Sequence, residues 1–303
     1  MSVSTKAIFT DPDKAREHLE AIRWPSGKPT CPHCGVEGEA TQVQGKSHRS
    51  GLYQCNACRT PFTVTVGTVM EKSHIPLNKW LLGFHLMASS KKGISAHQLH
   101  RLLGITYKSA WFMCHRIREA MTDTSTEPMG GEGKHVEADE TYIGRKRGAT
   151  KRAAYHHKMA VVSLVERGGK VRSFHVDSTT SKNIAPIVAK HVSAKSTLNT
   201  DEAEHYRTIG RAFAAHQSVS HGRGEYVKGT ASTNTVEGFY SVFKRGMKGV
   251  YQHCGEQHLH RYLSEFDFRY SNRTAVGIDD TTRTERAIKG AEGKRLTYHQ
   301  VSG

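Results

Sequence analysis

Four cysteines stand in two pairs, Cys31-Pro-His-Cys34 and Cys55-Asn-Ala-Cys58. Each C-x2-C pair sets two thiolates on one tight turn, and two such turns complete a tetrahedron around Zn2+. Four protein ligands leave no open coordination position, so the zinc they imply is structural. Around the knuckles, Gln42-Val43-Gln44, Leu52-Tyr53-Gln54 and the run Thr60 to Val66 alternate like strands of a ribbon. Cys114 and Cys254 stand alone and are expected as packing thiols.

A second set of chemically competent residues is acidic. The run from His135 to Ile143 reads as a strand, with Val136, Ala138 and Glu140 on one face and Glu137, Asp139 and Thr141 on the other. Asp201 directly follows a short strand over Thr197 to Thr200, where a polar end faces a cleft. Glu237 lies in the stretch Asn234 to Tyr251, read as a helix at about 100° per residue. Val236, Phe239, Tyr240, Phe243, Met247 and Val250 then share an apolar stripe. Asn234, Glu237, Ser241, Lys244 and Lys248 share another face, with Lys244 two turns beyond Glu237. Acids on three separate elements suit two hard divalent cations, and such a pair serves in-line displacement at a phosphodiester.

The partner class follows from charge. Lys and Arg number 44 against 28 Asp and Glu, a formal net charge of +16, with 20 His besides. That excess favours a polyanionic partner, nucleic acid before membrane. No apolar run approaches the roughly 20 residues of a membrane span. The opening Met-Ser-Val-Ser-Thr-Lys lacks the apolar core of a signal peptide, so a cytoplasmic protein is expected. Cysteines in that compartment serve metals or remain free thiols.

The positioning elements divide the chain into four regions. Residues 1–70 hold an N-terminal arm, with Asp11 as N-cap and Pro12 at N1, and the ribbon. Residues 71–125 are helical, with a first helix through Leu77, Trp80, Leu81 and Phe84. Ser95 caps a second helix, Gly104 makes a turn, and Thr106 caps a third. This is a helix-turn-helix pattern that presents Lys108, Arg116 and Arg118 as DNA-contacting candidates. Residues 126–275 pass through a polar, Gly-rich linker into strands 159–165 and 171–176, a helix over 183–192, further strands and the Glu237 helix. The mixture predicts an α/β domain with a mixed sheet. Residues 276–303 read as a basic, weakly patterned tail.

Taken together these motifs resemble the transposases of bacterial insertion sequences that carry a zinc ribbon before a DDE domain, the ISXO-type group. The resemblance runs over about residues 15 to 275. It rests on the two cysteine knuckles with Pro61-Phe62-Thr63, Ile94-Ser95-Ala96 through Trp111, Val136 to Gly144, Asn199-Thr-Asp201, Asn234-Thr-Val-Glu-Gly-Phe-Tyr240, and Arg261 to Arg273. It implies a ribonuclease H-like catalytic domain in which Asp139, Asp201 and Glu237 hold catalytic Mg2+ or Mn2+, and Lys244 steadies a DNA phosphate. Some relatives use Asn as third ligand, which makes Asn234 a neighbouring alternative. Relatives often have Gly-Gly after the first motif and an aromatic soon after the second Asp, whereas here Arg145 follows Gly144 and Glu-Ala-Glu follows Asp201, so Glu140, Glu202 and Glu204 compete with the matching acids. The implied activity is cleavage at the element's ends and joining of the 3′-hydroxyls to target DNA. The implied partners are the terminal inverted repeats, target DNA and at least one further copy of the chain, in a nucleoid-associated bacterial protein. The same residues also suit a metal-dependent DNA nuclease without strand joining, or a non-catalytic zinc-ribbon DNA-binding regulator.

Overall fold

The structure is a computed structural model that describes residues 5–45, 47–150, 155–220, 222 and 227–297. It divides into two compact units. One comprises Met1–Ser90, Ile94–Met121 and Asp279–Gly303, the other Lys91–Gly93 and Thr122–Ile278.

In the first unit, α1 (Ala7–Thr10) leads into α2 (Pro12–Arg23). Asp11 caps α2 as its spacing implies, its carboxylate accepting from the backbone N–H of Asp13 at 2.8 Å and of Lys14 at 3.2 Å. The ribbon is an antiparallel sheet of β1 (Ala40–Gln42), β2 (Tyr53–Cys55) and β3 (Pro61–Phe62). Its third strand is shorter than alternation suggests. The chain leaves the sheet after Phe62 and turns through Thr63, Thr65 and Thr68, whose hydroxyls bond to one another and to the backbone. Trp24, Tyr53 and Phe62 form an aromatic wedge beneath the ribbon, with centroids 5.4 to 6.2 Å apart.

The four knuckle cysteines meet. Sγ of Cys31 lies 3.7 Å from that of Cys58, and Sγ of Cys34 lies 3.7 Å from that of Cys55. All four sulfurs fall within 4.8 Å of one another. A tetrahedron with Zn–S bonds of about 2.3 Å has sulfur–sulfur edges of about 3.8 Å. The donor set therefore fits Zn2+ in both type and size.

Three further helices follow: α3 (Leu77–Ser89), α4 (Ala96–Leu103) and α5 (Tyr107–Ala120). Ser95 and Thr106 cap α4 and α5 through their hydroxyls, and Gly104 adopts φ 58° between them, a left-handed conformation that favours glycine. The helix-turn-helix geometry is thus present. Its cations are not all outward, however. Arg118 is 3% exposed. Arg116 donates to the carbonyls of Glu71 at 3.1 Å and Leu296 at 3.2 Å. Arg118 lies on the stripe that α5 buries along with Met113, Cys114 and Ile117, and Arg116 is half-buried, so of the three candidates only Lys108 is exposed.

The second unit is built on a sheet ordered β6-β5-β4-β7-β8. Its strands are β4 (His135–Ile143), β5 (Met159–Glu166), β6 (Val171–Val176), β7 (Thr197–Thr200) and β8 (Ala215–Ser218). β4, β5 and β6 pair antiparallel, while β4, β7 and β8 pair parallel. The crossover helix α6 (Ser181–His191) and the short α7 (Glu204–Gly210) cover one face. There Val136, Ala138, Val162 and Leu164 pack with Ile184, Val188 and Tyr206. A hairpin of β9 (Val227–Lys228) and β10 (Ala231–Ser232) leads to α8 (Asn234–Gly246), a π-helical turn Met247–Tyr251, and α9 (Leu259–Ser271). These helices cover the opposite face, where Val161, Val165 and Val171 pack with Val236, Phe239, Phe243, Leu263 and Phe266. The three-layer arrangement is ribonuclease H-like, with the mixed sheet that the residue pattern implied.

The expected basic tail contains a helix. α10 (Asp280–Lys289) belongs to the first unit and buries Arg283, Thr284, Ala287 and Ile288. His85 on α3 pairs with Thr284 at 3.0 Å, and the Arg283 guanidinium bonds Ala88 O at 3.4 Å. Residues 298–303 of that tail lie outside the described residues.

Two expected outcomes follow from this architecture. Metal analysis of the purified chain should give about one Zn per chain, and Cys55→Ser should lose it and unfold the ribbon while the catalytic unit stays folded. Full zinc retention in that variant refutes the ligand set. The second outcome concerns Asp267 on α9, which accepts from Ser173 N and Ser173 Oγ, both at 2.7 Å. Withdrawal from water pushes this carboxyl up from 3.8 to about 7. Between those values the folded chain keeps a proton that the unfolded chain has lost, so stability should fall as pH rises through this window. In Asp267→Asn that part of the pH dependence should vanish, as read by thermal melts at pH steps across the window.

Candidate functional site

The site is assembled from β4 outward. Glu137, fully buried, is not free for chemistry. Its carboxylate accepts from the backbone N–H of Thr235 at 2.8 Å and Val236 at 3.0 Å, from Thr235 Oγ1 at 2.9 Å, and from Arg167 Nε at 2.6 Å. An anion at a helix N-terminus is stabilised by the unpaired N–H groups and by the helix dipole. Glu137 therefore pins the start of α8 to β4. Tyr240, one turn along, donates its hydroxyl to the carbonyl of Asp139.

Asp139 is the next residue on the same strand face. β4 and β7 pair in parallel, His135 with Thr197, Val136 with Leu198 and Glu137 with Asn199. The same register carried two residues further sets Asp139 beside Asp201, just where β7 ends. One oxygen each of Asp139, Glu140 and Asp201 lie within 4.8 Å of one another. Asp201 is held by an Asx turn, its Oδ1 accepting from Ala203 N at 3.0 Å. Glu140 is held from the other layer, by His205 Nε2 at 2.6 Å from its Oε1.

The electrostatics record the crowding. Asp139 is pushed up from 3.8 to about 7, first by burial and next by the charge of Glu140, with Asp201 and Glu237 adding to it. His205 is raised, chiefly by its hydrogen bond to Glu140. Lys244 is lowered by burial, against the pull of Asp139. Two carboxylate oxygens on one Mg2+ stand at most about 4.2 Å apart, from bonds of about 2.1 Å. The cluster's oxygens lie within 4.8 Å of one another, close to that spacing, and its all-oxygen donors suit a hard divalent cation.

Of the expected acids, Asp139 and Asp201 therefore meet. Glu237 sits exposed on the first turn of α8, near enough for its charge to act on Asp139 but outside the tight group. Asn234, the other candidate, is the exposed first residue of α8. Glu140 takes the third place in the group. Strand alternation puts it on the opposite face from Asp139, yet both reach the cluster just past the end of β7, where β4 runs on paired to β5 alone. His205 had no motif of its own. Its only signal was its place, four residues past Asp201 on the helix that begins there.

Comparison with known proteins matches both the ribbon and the sheet that carries these acids. Residues 10–61 match the transposase zinc-ribbon domain, and residues 130–271 match the ISXO2-like transposase domain. The two matches cover more than half of the 303 residues and contain the four knuckle cysteines, Asp139, Asp201, Glu237 and Lys244. An uncharacterized protein in transposable element ISH50 of Halobacterium salinarum is 27% identical over 279 residues, 86% of this chain and 91% of that protein. A chain of the simian T-cell lymphotropic virus intasome in complex with PP2A regulatory subunit B56 gamma is 15% identical, with a TM-score of 0.29. It is matched over 56% of this chain and 63% of its own length, less than two thirds, and a likeness that slight carries no argument. No helix among the described residues is long and apolar enough to cross a membrane. With a zinc ribbon ahead of an acid-bearing mixed sheet, and both matched in that order, the chain belongs to the ISXO2-like transposases.

Proposed function

We propose that this chain cuts DNA at the ends of an insertion sequence and joins the freed 3′-hydroxyls to target DNA. The observation that carries the reading is the juxtaposition of Asp139 and Asp201 on parallel strands, with a third carboxylate beside them and Asp139 raised to about 7. Acids crowded in this way favour a cation strongly. Mg2+ or Mn2+ bound there would polarise the phosphodiester and lower the pKa of a bound water. Asp139 and Asp201 hold the cations, Glu237 completes the set from α8, and the Lys244 ammonium orients a phosphate. In cleavage, water oxygen bonds to phosphorus, the bond to the 3′-oxygen breaks, and that oxygen leaves as a hydroxyl. In joining, this hydroxyl attacks a target phosphodiester whose own 3′-oxygen departs. Bond type is conserved in the joining step, so no external energy source is needed.

The ribbon and the α4–α5 module serve end recognition, and bringing two ends together calls for at least two copies of the chain. A second assignment of the third ligand is favoured by proximity, since Glu140 already stands with Asp139 and Asp201.

The test is cleavage and strand transfer with Mg2+ on DNA taken from the flanks of the gene. Asp139→Asn and Glu237→Gln should each lower cleavage by about 10²-fold or more while leaving folding and DNA binding intact. Lys244→Ala should be milder and act partly through binding. Near-normal activity in Glu237→Gln with loss in Glu140→Gln transfers the third role to Glu140, and loss in Asn234→Ala transfers it to Asn234. Full activity in Asp139→Asn overturns the reading.

DNA binding should also be steeply salt-dependent. With roughly six to ten phosphates contacted, affinity should fall by about 10³ or more between 50 and 200 mM salt. Lys108→Ala should lower the slope by about one. Arg118→Ala should instead lower the melting temperature, because the side chain is buried. Binding insensitive to salt refutes phosphate contact as the source of affinity.

A further inference from the structure

Beside the carboxylate cluster lies a cleft of about 540 Å³, within the size range of small-molecule sites. Glu140 belongs to both, so the cleft opens onto the proposed cleavage site. Its walls join two features of which the reaction as described uses only Lys244. One is an aromatic platform: Tyr142 and Tyr155 stack with centroids 4.7 Å apart and planes 8° apart. Tyr142 is anchored through its hydroxyl to Thr179 Oγ1 at 2.9 Å, while Tyr155 is 56% exposed. Tyr142 lies against the Tyr155 ring and the Lys158 ammonium lies over it, so the solvent-side face becomes a stacking surface when the flexible Lys158 side chain swings aside. The other feature is cationic. Lys158 places its ammonium 5.1 Å from the Tyr155 ring centroid, Lys244 enters from the last turn of α8, and Lys248 from the π-helical turn that follows. At the rim Gln252, at φ 58°, holds a backbone conformation that non-glycine residues rarely adopt.

A flat π surface ringed by ammonium groups matches a base joined to its phosphate. Inside a duplex both faces of a base are covered by stacking neighbours and a terminal pair bares only one, so an unpaired nucleotide is the species best able to lay a face on a ring within a cleft. The geometry points to a receptor for one unpaired nucleotide at the DNA end, its base on the Tyr142–Tyr155 platform and its phosphate among Lys158, Lys244 and Lys248. This inference rests on the polynucleotide reading above and adds to it. It says that the end is opened, and that an extruded base fixes the strand whose backbone enters the carboxylate cluster.

The test uses the full-length, zinc-loaded chain in buffer with no added Mg2+ or Mn2+ and no chelator, so that no cleavage occurs while the ribbon stays folded. Two probes are compared: a blunt duplex, and the same duplex with two unpaired 3′ nucleotides, one of them 2-aminopurine. The frayed probe should bind about tenfold more tightly than the blunt one, because one base–aromatic stack supplies about that factor. The 2-aminopurine fluorescence should be quenched on binding. Tyr155→Ala should bring the preference to within about twofold and abolish the quench, whereas Tyr155→Phe should keep both. Lys158→Ala combined with Lys248→Ala should weaken the frayed probe more than the blunt one. Thermal melts of each variant confirm folding, which a largely exposed Tyr155 should not disturb. Equal affinity of the wild-type chain for both probes overturns the inference, as does an undiminished preference in Tyr155→Ala. Mg2+-dependent cleavage of blunt end DNA separates the two levels. Cleavage without a fraying preference sinks the nucleotide receptor alone, while absence of both binding and cleavage sinks the transposase reading beneath it.

Discussion

The buried carboxylate of Glu137 is the constraint on which the catalytic unit depends. It lies on the sheet's central strand, yet its partners come from elsewhere: the first turn of α8, and Arg167 in the turn between β5 and β6. Arg167 in turn bonds the carbonyls of Thr230 and Ser232, which brings in the β9–β10 hairpin. One acid thus ties together the strand that carries Asp139 and the helix that carries Glu237 and Lys244. Breaking a buried charge pair of this kind costs about 3–5 kcal/mol, because the remaining charge is stranded away from water. The saturation of Glu137 also removes it from competition. Three successive acids or near neighbours, Glu137, Asp139 and Glu140, have distinct fates, and the fates follow from hydrogen-bond partners rather than from residue type.

Much of this was legible in the residues. The doubled C-x2-C spacing forces two metal-binding turns, and the sulfurs do converge. The caps at Asp11, Ser95 and Thr106 are local events between neighbours in the chain, so local reasoning finds them. Alternation along β4 separated the faces correctly: Val136 and Ala138 meet α6 and α7, while Glu137 and Asp139 meet α8. What stayed hidden depends on contacts between distant segments. Arg116 and Arg118 look like exposed cations because Arg usually is exposed, and only the carbonyls of Glu71 and Leu296 show what Arg116 is for. Helix α10 buries an arginine and a threonine among its four inward residues, so its pattern carries little apolar signal. Glu140 joins the acids because β7 stops at Thr200 while β4 runs on to Ile143, which leaves that edge of β4 open beside Asp201.

Charge is distributed on two scales. The chain as a whole is strongly cationic, which draws a polyanion from a distance. Within that field the cluster around Asp139 is a small anionic focus, and its like charges cannot all be ionised cheaply. The long-range term brings the backbone of a nucleic acid to the surface without choosing a position on it. The short-range one favours a cation and, on the proposed reading, would fix where on that backbone the chemistry occurs. Lys244 stands at the boundary of the two.

The parallel register of β4 and β7 has a consequence for how such chains can vary. Between Asp139 and Asp201 the polypeptide makes a hairpin and a crossover helix, yet the two acids are set side by side by strand pairing alone. Residues may be gained or lost in the turns and in the crossover without moving either carboxylate. A slip of one residue in the pairing would shift Asp201 by about 3.3 Å and turn it to the other face. Across divergent copies, the number of residues separating the acids is then free to drift, while the paired segments His135–Glu137 and Thr197–Asn199 admit no insertion. Length polymorphism confined to the connections, with strands of invariant length, is the trace this geometry would leave in its descendants.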